Sequence, residues 1–214
     1  MKRRLFISII ALLVASAALD AQTTNSKSTR RKYFEFGPKI GISAPTLNMV
    51  TNTTELKELF NGLNTGFQVG GFARGMLPVW RGITLYMQTD ALFALDLYYG
   101  SQGARASSTS FNFPIQLGGG YRFKNGTFVR GGWGVVFCVN VSQDAKTVYE
   151  GYIPELERML RRDTVGHVAD LGIDFKNLSV DLRYMNQFRS IDDWPRVADE
   201  SRYISWGLTV GYRF

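Results

Sequence analysis

The chain has 214 residues, 45 % of them hydrophobic and 14 % aromatic, with 22 glycines and a formal charge of +7. That length suits one domain, and so many glycines argue against a helical bundle. The basic residues are scattered rather than blocked, which argues against a nucleic-acid patch. Cys138 is the single cysteine, which excludes an intrachain disulfide and argues against a cysteine-based metal site.

The first residues, MKRRLFISIIALLVASAALDAQ, place Lys2, Arg3 and Arg4 before an apolar run from Leu5 to Leu19, then small residues. This layout predicts a signal peptide over residues 1–21, cleaved after Ala21. The alternative, a membrane anchor, would need about 20 apolar residues. Residues 22–32, QTTNSKSTRRK, are polar and aperiodic, and a flexible segment is expected there.

From residue 33 to residue 214 the pattern has period two, the signature of strands with one apolar and one polar face. Phe34, Phe36, Pro38, Ile40 and Ile42 alternate with Glu35, Gly37, Lys39 and Gly41. Phe67, Val69, Ala73, Leu77 and Val79 oppose Gln68, Gly70 and Arg74; Ile83 to Leu95 oppose Thr84, Tyr86, Gln88 and Asp90. Phe111 to Tyr121 oppose Asn112, Gln116 and Arg122, and Val129 to Val139 oppose Arg130, Gly132 and Asn140. Ala169 to Phe175 oppose Asp170 and Asp174; Leu178 to Tyr184 oppose Ser179, Asp181 and Arg183; Ile204 to Phe214 oppose Ser205, Thr209 and Arg213. Eight strands result. Tight turns are expected at 78–82, 124–126 and 176–177, and long connections at about 44–64, 96–108, 142–165 and 189–200. Short turns on one rim and long loops on the other describe an all-β, antiparallel up-and-down barrel, in its outer-membrane form.

The same alternation could build a soluble barrel with its apolar face inward. Three features favour the inverted assignment. The polar face carries Glu35, Lys39, Arg74, Asp90, Arg122, Arg130, Asp170, Asp174, Asp181 and Arg183, opposite charges in balance, as pairing inside a narrow barrel requires. Phe34, Trp80, Tyr121, Phe175 and Tyr212 gather near the tight-turn rim like an interfacial girdle, and Phe214 joins them. The export signal is the third. A barrel of eight strands is filled by its own side chains, which argues against a general diffusion pore.

KIGI in the first strand, ITLYMQTDALF in the third, FNFPIQL in the fourth, DLGIDFKN in the sixth and the ending GYRF together resemble the PorT-like outer-membrane β-barrel family. The resemblance implies an eight-stranded barrel whose named member is an accessory of type IX secretion. Gln22 also resembles export signals of bacteria rich in this family, and the final Phe214 resembles the signal read by the barrel assembly machinery. Asp90 and Ala94 stand where the family more often has an acid followed by Leu-Tyr-Ser-Gln.

Catalytic material is sparse. His167, the single histidine, could share the loop rim with Asp163 and Ser142 as a lipid-modifying triad would, but a lone interfacial histidine is the simpler reading. Cys138 suits a small interior position. No phosphate loop or metal-ligand spacing occurs, so no enzyme activity, cofactor or metal is expected. The segments TELKELFNG (54–62) and IPELERMLRR (153–162) have helical apolar stripes. They are expected to cap the barrel mouth or, through Arg158, Arg161 and Arg162, to meet lipid phosphates. Expected partners are outer-membrane lipid, the barrel assembly machinery during insertion, and a protein of the envelope or of a secretion system.

Overall fold

The computed structural model describes residues 33–48, 64–100, 105–146, 163–190 and 202–214. Residues 1–32, where a leader and a flexible segment are expected, and the segments 54–62 and 153–162, where helical stripes are expected, lie outside the described residues. Tyr33–Phe214 is one compact unit of eight strands: β1 (Phe34–Asn48), β2 (Thr65–Trp80), β3 (Ile83–Tyr99), β4 (Arg105–Arg122), β5 (Phe128–Lys146), β6 (Thr164–Phe175), β7 (Leu178–Ser190) and β8 (Arg202–Tyr212). Each pairs antiparallel with its sequence neighbour, and β8 returns to β1, closing the barrel.

The register fixes the shape. Stepping across the ladders from Thr46 leads to Ile204, Asn186, His167, Val135, Ile115, Thr89 and Ala73, and back to β1 at Phe36. The circuit descends from position 46 to position 36. With eight strands, a stagger of that size tilts them by about 40° and sets a backbone radius of about 8 Å. Inward side chains fill such a cylinder.

Three tight turns define one rim. Arg81 and Gly82 both have positive φ (34° and 92°), as a two-residue turn matching strand twist needs. Lys176, at φ 49°, leads the turn into Asn177. The β4–β5 turn is closed by the Phe123 N–H donating to Thr127 O (2.8 Å) and the Gly126 N–H to Phe123 O (3.0 Å).

On the opposite rim the strands outrun the sequence expectation. Residues 96–99 continue β3 and residues 105–108 begin β4, so most of the long connection expected at 96–108 is sheet. The stretch Arg105–Ser110 is polar on both faces, so it carries no alternating signal, yet Ser107, Ser108 and Thr109 pair across to β3 or β5. Ladder hydrogen bonds, rather than side-chain polarity, extend the sheet here.

The two walls are chemically opposite. Ile40, Ile42, Leu77, Met87, Leu117, Trp133, Leu171 and Ile173 face outward and are exposed, Leu117 and Leu171 at 67 %. Arg74, Arg130, Arg183 and Lys39 face inward, each at 2 % exposure or less. The expected aromatics Phe34, Trp80, Tyr121, Phe175, Tyr212 and Phe214 are all exposed on the outside. The Phe214 N–H donates to Phe36 O (3.0 Å), and its ring packs on Phe36 and Tyr212.

Candidate functional site

The interior is built in layers. Near the tight-turn rim Met76, Tyr86 and Phe128 form an apolar floor. Above it stands a charged network whose members come from six strands.

Arg74 on β2 spans its lower part. Its Nε donates to Gln88 Oε1 (2.8 Å), and its Nη1 meets both Glu35 (3.3 Å) and Asp174 (2.6 Å). Arg130 on β5 is a second hub. It contacts Asp174 (3.3 Å), Asp170 (3.6 Å) and Asp181, and donates to Ser179 Oγ (2.9 Å). Lys39 bridges Asp90 (3.1 Å) and Asp181 (2.8 Å), and Arg183 pairs with Asp90. The Tyr86 hydroxyl donates to Asp170 (3.2 Å). Small inward positions make room for these side chains. A Cβ on Gly172 would lie 2.4 Å from Asp181 Oδ1 and 2.6 Å from Arg130 Cζ, so a larger residue there would push this ion pair aside.

Nine of the ten charges expected inside meet in this network, and one does not. Arg122 lies on the inward parity but at the tight-turn rim, half-buried. Its guanidinium sits over the Phe128 ring (4.9 Å) and near Met76 Sδ (3.5 Å). Arg213, absent from the expected set, takes the place. It meets Glu35 (2.8 Å) and Asp174 (3.6 Å) and donates to the Lys176 carbonyl. The network therefore sets Lys39, Arg74, Arg130, Arg183 and Arg213 against Glu35, Asp90, Asp170, Asp174 and Asp181, and its formal charges cancel. Removing one member of such a group leaves a partner charge buried and uncompensated.

Above the network the wall changes character. Val136, Val168 and Met185 form a second apolar cluster. Gln68, Asn112 and Gln116 face inward and are buried. Higher still, Asp96 accepts from Ser43 (3.3 Å) and Tyr203 (2.7 Å). Asp96 continues the alternation of β3 between Leu95 and Leu97, and the long connection expected from residue 96 left it out of the expected interior.

The histidine, acid and serine of the loop rim do not converge. His167 points outward and stacks on Trp133 (5.2 Å, 26°). It pairs with Val135 on β5, whereas Ser142 lies seven residues further up that strand, opposite Thr109, about 23 Å along it. The Asp163 carboxylate accepts the Asn140 N–H (3.0 Å). Cys138 is buried inside the barrel. Among the described residues no group of three or more His, Cys, Asp or Glu side chains could hold a metal ion.

No protein-family model matches the chain, and no curated protein matches it. Among solved structures it is similar to the outer membrane protein OprG from Pseudomonas aeruginosa, at 10 % identity over 85 % of this chain and 95 % of that one, with a TM-score of 0.47. It is also similar to Ail, the attachment invasion locus protein of Yersinia pestis, in complex with the heparin analogue sucrose octasulfate. That match has 12 % identity over 85 % of this chain and 99 % of that one, with a TM-score of 0.38. A third is the transport unit of the autotransporter AIDA-I from Escherichia coli, at 13 % identity over 90 % and 94 %, with a TM-score of 0.33.

Proposed function

We propose that the chain is a transmembrane barrel of the bacterial outer membrane that acts as a non-enzymatic interaction or accessory protein of the envelope. The observation that carries this is the inverted wall: exposed apolar side chains outside, a paired charge network inside. Only a lipid solvent makes that arrangement stable, because in water the apolar belt would drive aggregation. Phe111 and Tyr121, both exposed outside on β4, are ten residues apart, about 25 Å along the axis after tilt. That equals the height of an outer-membrane apolar band.

The filled interior opposes solute passage, and the separation of His167 from Ser142 opposes the triad. Function then falls to the rims and loops, where a rigid scaffold presents it. The most concrete version, an accessory of a secretion system, rests on the sequence resemblance to the PorT-like family. Export by the N-terminal leader belongs to the same proposal.

Gel mobility of the purified chain in cold SDS, boiled against unboiled, tests the membrane reading together with fractionation. A closed strand network resists cold SDS, so a shift on boiling and recovery in the outer-membrane fraction are expected. An unshifted, periplasmic protein would overturn it.

A further inference from the structure

We propose that the tight-turn rim is a docking surface for anionic phospholipid, with Arg81, Lys124 and Lys176 meeting the headgroup phosphates of the leaflet on that side. This rests on the membrane reading above and adds to it the lipid class and the residues that recognise it. The β2–β3, β4–β5 and β6–β7 turns each carry one exposed cation: Arg81, Lys124 and Lys176. No acidic side chain stands in any of the three. The acids at this end of the barrel, Glu35 and Asp174, are buried inside against arginines. The opposite strand ends differ, for there Arg105 and Lys146 are mixed with Asp144 and Asp163.

Ring contacts fix the depth of these charges. The Arg81 guanidinium lies over the Trp80 ring (5.1 Å to its centroid), and Lys176 Nζ lies over the Phe175 ring (5.4 Å). Lys124 directly follows Phe123, whose exposed ring meets Tyr121 edge-on (5.0 Å). In all three turns, therefore, the cation stands one residue past an exposed aromatic. Such rings sit at headgroup level, where the apolar belt ends. A cation next to each of them is at the level of lipid phosphate.

Turn chemistry does not account for cations there. Among the described residues, Arg81 and Lys176 are the two non-glycine residues with positive φ (34° and 49°). Asn, Asp and Gly are the residues such backbone favours. A long cation at a position its own backbone disfavours points to a gain made outside the turn. Anionic headgroups supply that gain, because basic residues close to a charged lipid surface are attracted to it.

The test is the lipid selectivity of the full folded chain in phosphatidylcholine bilayers, read by electron spin resonance with spin-labelled phosphatidylglycerol or spin-labelled phosphatidylcholine. Lipid held at the barrel wall gives a motionally restricted signal. One Lys or Arg beside an anionic headgroup favours it about fivefold. Diluted over the rest of the first lipid shell, the relative association constant of phosphatidylglycerol should be about 1.5. It should fall to about one in the triple variant Arg81→Asn, Lys124→Asn, Lys176→Asn, whose asparagines suit positive φ. Lys124→Asn alone, where φ is not positive, should remove about a third of the preference, a check independent of strained positions. Arg105→Asn, at the opposite rim, should leave it unchanged. Equal restriction of the two lipids by the wild-type chain, or a preference that survives in the triple variant, overturns the proposal alone. No restricted signal from either lipid overturns the membrane reading and the proposal with it.

Discussion

The outer and inner walls of this barrel use the same strands and obey opposite rules. Outside, Leu117, Leu171 and Ile173 stand exposed with no polar partner needed. Inside, Arg74, Arg130 and Asp174 are buried and depend on one another. Apolar side chains outside are interchangeable so long as the surroundings are apolar. Charges inside are not, because each one removed leaves another unpaired in a medium that solvates it poorly.

The largest expected effect comes from breaking a hub. Arg130→Ala removes the shared partner of Asp170, Asp174 and Asp181, and should cost about 3–5 kcal/mol of folding free energy, read from urea unfolding in detergent or lipid. A loss below about 1 kcal/mol would mean that the network is open to water. A smaller contrast sharpens the layer boundary. Arg213→Ala removes an ionic hydrogen bond to Glu35 and should cost about 1.5–3 kcal/mol. Arg122→Ala removes a half-buried cation from a ring face and should cost less than about 1 kcal/mol. Reversal of that order would return Arg122 to the network and remove Arg213.

That pair also marks what the sequence could and could not convey. Period-two alternation identified eight strands and the inward parity of both arginines. It said nothing of height, which comes from the stagger of ten residues around the barrel. Arg122 and Arg213 both lie near the tight-turn rim, but only Arg213 reaches the level of Glu35. Glu35, Lys39, Arg74, Asp90, Arg130, Asp170, Asp174, Asp181 and Arg183 were legible because each is a charge on the polar parity of an alternating strand. The upper strand ends were not. Ser107, Ser108 and Thr109 present similar polarity to both faces, so their pairing is visible only in the ladder. Asp96 and Tyr203 meet 107 positions apart in sequence, a contact that closure creates and local pattern does not encode.

Solvation of the outer wall by lipid is read in the depth dependence of an introduced charge. Folding free energies in phospholipid bilayers would be compared for Leu117→Arg, midway up the apolar belt, and Tyr121→Arg, at the tight-turn girdle of the same strand. A loss of about 2–4 kcal/mol at Leu117 against about 0–1 at Tyr121 is the predicted result. Equal changes within about 0.5 kcal/mol, as at an ordinary water-exposed surface, would contradict the account.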